Sequence, residues 1–138
     1  MKNRKAVTAL FAIAAAYDGI LGLAFLVAHE ELFEWFKVPP PNHAAYIQFP
    51  AALLVTFGLM FAAVARDPQG NRNLIPYGML LKVSYCGAAF WHWSRTGIPD
   101  MWKPWAFIDL VFLVLFYMAY RQIGRQAEGS QGPAASAV

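Results

Sequence analysis

Four nearly continuous apolar stretches separated by short polar segments dominate the chain, at residues 6–28, 44–65, 73–93 and 104–120. Each approaches the roughly 20 residues a helix needs to cross about 30 Å of hydrocarbon at about 1.5 Å per residue. The apolar positions do not alternate as the strands of a membrane barrel would, so helices are the remaining way to satisfy every backbone group in lipid. The pattern predicts an all-α fold, a transmembrane four-helix bundle whose short loops set consecutive helices antiparallel. Residues 1–125 make up this single domain. Residues 126–138, small, mostly polar and without aromatics, read as a disordered tail. No internal repeat or second domain emerges.

Punctuation along the chain agrees with these boundaries. Pro76 and Pro104 fall in first turns, where a missing N–H costs little, whereas Pro50 lies inside the second stretch and is expected to bend it. Between residues 29 and 43, LFEWF sets bulky apolar side chains beside Glu30, Glu31, Glu34 and Lys37, which suits a short interfacial helix. Pro39, Pro40 and Pro41 then favour extended backbone. The segment RDPQGNR reads as a tight polar turn.

Composition identifies the solvent. Of 138 residues, 59% are hydrophobic and 14% charged, with a mean hydropathy of +0.40. A soluble domain carries about 25% charge and must cover itself with polar surface, so a soluble monomer is excluded and the first partner is the lipid bilayer. The net charge of +3 does not mark a nucleic-acid binder, because the 11 basic residues form no stripe among exposed aromatics. Instead they divide by side. Lys2, Arg4, Lys5, Arg66, Arg72, Arg121 and Arg125 flank one set of helix ends, against Lys37, Arg95 and Lys103 on the other. This asymmetry predicts both termini in the cytoplasm. Trp35, Trp91, Trp93, Trp102 and Trp105 all fall at the opposite interface, with Tyr77, Tyr117 and Tyr120 at the inner one. The start of the chain also fits a signal peptide cut near Ala16, but apolar sequence continues past Asp18, so an uncleaved first helix is preferred.

Three ionisable residues interrupt the predicted spans: Asp18, Lys82 and Asp109. A charge at bilayer depth costs from about 2.5 kcal/mol to over 10, so such groups face the bundle interior and pair. Counted from the inner ends, Asp18 lies about 18 Å deep, Lys82 about 12 to 14 Å and Asp109 about 17 Å, a difference a lysine stem covers. Ala14, Asp18 and Gly22 follow at i, i+4, as do Gly78, Lys82 and Cys86, which suggests close backbone approach around the charges. Asp18, Lys82 and Asp109 are therefore the candidate ligand-binding or proton-relay residues. Asp18 would be proton carrier or counter-ion, Lys82 the anion or headgroup contact, and Asp109 the second counter-ion. Tyr17 and Tyr85 are secondary candidates, with Ser84 nearby, although adjacent residues on one helix diverge and are not expected to line one cavity together. A structural ion triad that only fixes helix register is the competing reading.

Other chemistry is sparse. His29, His43 and His92 sit near the outer interface, but no HxxxH or HExxH pair forms a site, so no metal ligand is assigned and the cofactor is unknown. A lone cysteine, Cys86, excludes an intrachain disulfide and a CxxC pair, and burial would leave it inert. No GxSxG, phosphate loop or dinucleotide fingerprint occurs, and nothing positions an acid, base or nucleophile, so an enzyme is not preferred.

PPPN at Pro39–Asn42, ARDP at Ala65–Pro68, IPYGMLLK at Ile75–Lys82 and FIDL at Phe107–Leu110 together resemble a family of small bacterial four-helix integral membrane proteins. Those proteins share an outer Pro-Pro-Asn turn, an inner Asp-Pro turn, a helix-three lysine and a helix-four aspartate. Their architecture is distantly similar to DoxX-type proteins. The resemblance spans residues 17–120 and implies a multi-pass protein of the bacterial inner membrane, but carries no activity with it. Two functions follow as expectations: a charged site that binds a small or lipid-like ligand or moves it with a proton, or an accessory subunit of a homo-oligomer or larger membrane complex.

Overall fold

The structure is a computed structural model that describes residues 3–132. Among these, all regular structure is helical: α1 (Arg4–Val27), α2 (His29–Trp35), α3 (Ala45–Arg66), α4 (Ile75–Arg95) and α5 (Lys103–Ser130). Single 3-10 turns at Arg72–Leu74 and Asp100–Trp102 lead into α4 and α5. The four predicted stretches correspond to α1, α3, α4 and α5, and the interfacial segment becomes α2. Three helical stretches, in α1, in α3 and over Asp100–Ser130, are long and apolar enough to cross a membrane. α4 matches them in length but not in composition, since Lys82, Ser84, His92 and Arg95 dilute it.

One boundary differs from expectation. α5 continues to Ser130, whereas a disordered tail was expected from residue 126. Gln126, Ala127 and Glu128 are good helix formers, and no proline intervenes before Pro133, so the i→i−4 ladder continues past the apolar stretch. The remainder of the expected tail, residues 133–138, lies outside the described residues.

The ends are fixed by local hydrogen bonds. Asn3 caps α1, its Oδ1 accepting from Lys5 N–H at 3.0 Å. His43 Nδ1 accepts from Ala45 N–H at 3.1 Å where α3 starts. At the far end of α3, Asn71 Nδ2 donates to the carbonyls of Ala63 and Asp67, while Asp67 Oδ1 accepts from Gly70 N–H. These bonds satisfy carbonyls that a helix end leaves free. Arg72 then ties this turn to α5, since its Nε donates to the Tyr120 carbonyl at 3.0 Å and its guanidinium lies 3.9 Å from the Tyr120 ring centre.

Packing divides the helices into two pairs, α1 with α3 and α4 with α5. Small residues close the first pair. A Cβ on Gly22 would lie 2.7 Å from the Ala51 carbonyl oxygen, and one on Gly58 would lie 2.9 Å from the Gly19 nitrogen. The backbones therefore touch where only glycine fits. Gly22 thus serves the α1–α3 seam and not an approach of α1 to α4.

One cluster of buried side chains, including Val7, Phe11, Val64, Ile75, Phe116 and Ile123, gathers the start of α1, the end of α3, the start of α4 and the second half of α5. A smaller cluster of Phe25, Phe33, Ala51 and Met101 lies at the opposite end. The surface reverses the soluble pattern: Ile20, Leu59 and Val111 are 67%, 69% and 59% exposed, whereas Asp18, Lys82 and Asp109 are 1%, 0% and 7% exposed. Apolar side chains outside and charges inside suit a molecule surrounded by hydrocarbon.

Candidate functional site

The three buried charges fall on the buried stripes of their helices. On α1 the stripe runs Phe11, Ala14, Asp18, Gly22, Phe25; on α4 Ile75, Gly78, Lys82, Cys86, Ala89; on α5 Ala106, Asp109, Phe112, Phe116. Steps of three and four keep each charge in register with core residues, so inward packing of the stripes brings them together. Lys82 Nζ donates to Asp18 Oδ1 and Oδ2 at 2.9 and 2.8 Å and to Asp109 Oδ1 at 2.9 Å. An ammonium has three protons, and all three are engaged. The triad also links the two helix pairs, because Asp18 belongs to one and Lys82 and Asp109 to the other.

Rings enclose the ammonium. The centres of Tyr17, Phe61 and Phe112 lie 5.3, 5.8 and 5.2 Å from Lys82 Nζ. Toward the chain termini, Phe11 stacks on Phe116 at 4.8 Å, and Phe61 lies 5.1 Å from Phe116. These rings close the site on that side.

On the other side lies a cavity of about 280 Å³. Its apolar wall comes from Leu21 and Phe25 of α1, Leu54 of α3 and Leu81 of α4, with Trp102 and Trp105 leading into and opening α5. Asp18 and Asp109 line it, together with Tyr17, Ser84 and Tyr85. Lys82 does not. In this arrangement Lys82 Nζ is engaged by two carboxylates and bordered by the rings of Tyr17, Phe61 and Phe112. Asp109 meets Lys82 through Oδ1 alone, and among the described residues its Oδ2 takes part in no hydrogen bond.

The hydroxyl-bearing candidates separate. Tyr85 donates to the Trp102 carbonyl at 2.7 Å, which fixes the 3-10 turn against α4. The Tyr17 ring lies tilted against Trp105 and Phe112, with centres 6.0 and 5.4 Å apart, and its buried hydroxyl has no partner among the described residues. Trp105 Nε1 is likewise buried and unpartnered. Contrary to expectation, the neighbours Tyr17 and Asp18 both line the cavity, as do Ser84 and Tyr85. A tyrosine ring is long enough to reach a cavity that its Cβ does not face.

Elsewhere the expected candidates stay apart. Among the described residues no three His, Cys, Asp or Glu side chains gather as metal ligands, and His43 is occupied in starting α3. Cys86 is buried with Sγ 3.3 Å from the Ala106 carbonyl. Phe61 and Trp102 are the structural parts that the sequence reading missed. Phe61 sits on the one stretch without a charge, and the small-residue step to Gly78, whose Cβ would strike the Phe61 ring, was the available signal. No family model, curated protein or solved structure matches the chain.

Proposed function

We propose that the protein is a multi-pass protein of the bacterial inner membrane, a transmembrane four-helix bundle of α1, α3, α4 and α5 with both termini in the cytoplasm, whose charged centre binds a small or lipid-like ligand. The observation that carries this reading is the cavity beside the triad, apolar along most of its wall and lined by few polar residues, among them Asp18 and Asp109. Ligand sites have this character, a mostly apolar concavity with a few convergent polar groups, and about 300 Å³ is the lower end of their size. The side chain of Lys82, fully buried in α4, supports this helix as the fourth span despite its composition. Basic residues at the terminal ends support the orientation. Protonation of the triad offers a route by which ligand movement is coupled to a proton.

A second reading has its own observation. The saturation of all three Lys82 protons is what a purely structural ion triad would show, and fits an accessory subunit of a larger membrane complex. Native mass spectrometry after gentle extraction separates the two. The ligand reading expects a small-molecule adduct on the wild-type chain that is lost in Leu53→Trp, a substitution at the cavity wall. A stoichiometric larger assembly without an adduct would support the accessory role and overturn the first reading.

A further inference from the structure

The charge facing the cavity identifies the class of ligand. Two carboxylates against one ammonium leave the ionised triad with one formal negative charge, and the cation lies behind its partners, walled by Tyr17, Phe61 and Phe112. The cavity is lined by both aspartates, with Asp109 Oδ2 unengaged, and by the aromatic residues Tyr17, Trp102 and Trp105. Aromatic faces attract cations, more strongly where water is excluded.

The cavity also has a direction. Its wall runs between Leu53 of α3 and Ser84 of α4, both exposed, along a line where α3 and α4 scarcely touch. In a membrane that gap faces the hydrocarbon, so the ligand approaches sideways and carries an apolar tail. Building on the ligand-binding reading above, we infer that the occupant is an amphipathic organic cation, an ammonium on an apolar chain, which pairs with Asp109 Oδ2 and leaves its tail in the gap between α3 and α4. A phosphate adjoining the ammonium would be repelled by the same carboxylates, so a free amine fits better than a zwitterionic lipid head.

The test uses the full chain in phosphatidylcholine nanodiscs, with octyltrimethylammonium, octylamine, octanol and octanoate titrated against tryptophan fluorescence, which Trp102 and Trp105 report from the cavity wall. The expected order is both cations ahead of octanol and octanoate last. Asp109→Asn, which leaves the Asp18–Lys82 pair neutral, should erase the preference for cations, by about tenfold or more in affinity. Asp109→Ser, equally uncharged, should erase the same preference and serves as the second variant should Asp109→Asn fold poorly. Competition by added phosphatidylethanolamine as strong as that by octylamine would overturn the free amine in favour of a zwitterionic lipid head. Equal binding of octanol or octanoate, unchanged in Asp109→Asn, would overturn the cationic ligand while leaving a ligand site in place. Binding of none of the four would overturn both.

Discussion

The two halves of the molecule solve opposite problems. Near the chain termini, Phe11, Phe61 and Phe116 interlock with Val7, Val64 and Ile75 and leave no route to the charges. Toward the other end, the same four long helices enclose a cavity of about 280 Å³ that reaches the same carboxylates. The triad sits at the boundary. A charged centre sealed on both sides would be a fastener, and one open on both sides would be a leak, so access from one side is the arrangement suited to binding. A related contrast holds between the helix pairs. Glycines let α1 and α3 touch along their backbones, whereas α3 and α4 diverge beside the cavity, so the seam is rigid where the gap is loose.

Breaking the boundary itself should have the largest effect. Lys82→Met leaves two buried carboxylates facing one another and is expected to cost about 3–5 kcal/mol of stability, read by unfolding in mild detergent. Neutralising all three with Asp18→Asn, Lys82→Met and Asp109→Asn should restore most of that loss. A single mutant as stable as the wild type would show that the triad is not buried together. Next comes the sealed half, where Phe61→Ala removes a ring from the core and should cost about 3 kcal/mol. It should also speed hydrogen exchange at Gly78 and Met79 amides, which a sealed core protects.

The seam ranks third. Gly58→Val places a side chain against the Gly19 backbone and should cost about 1–3 kcal/mol, with cross-linking between α1 and α3 reporting their separation. Tyr85→Phe loses one hydrogen bond, to the Trp102 carbonyl, for about 1 kcal/mol. Leu53→Ala, at the cavity edge, should change stability by less than about 0.5 kcal/mol. Comparable losses at Gly58 and Leu53 in the same unfolding assay would erase the contrast between tight seam and loose gap.

Much of this was legible in the sequence because lipid imposes a simple rule. The lengths of the apolar stretches gave the helices, and a lysine between two aspartates at matching depth gave the triad. The i, i+4 spacing of Asp18 from Ala14 and of Lys82 from Gly78 and Cys86 set small residues beside these charges. The sign of the cavity was not legible. Which side of Lys82 is covered depends on Phe61, and which carboxylate keeps a free oxygen depends on sub-ångström placement of Asp109, neither of which residue spacing encodes. The glycine of α1 was expected to approach α4 around the charges, whereas packing sets Gly22 against Ala51 of α3, a choice that residue spacing does not encode. The end of α5 was placed too early because apolar content was taken as its limit, whereas Gln126 to Glu128 extend a helix without it.

The difference between the halves can be measured directly by NMR on methyl-labelled protein in nanodiscs, as relaxation induced by dissolved oxygen. Oxygen enters apolar cavities and the hydrocarbon but not a close-packed core. The account predicts strong relaxation of the Leu21, Leu54 and Leu81 methyls, which line the cavity, and weak relaxation of Val7, Val64 and Ile75, which lie among the packed rings. Equal relaxation of the two sets, or a stronger response from Val64 and Ile75, would contradict it.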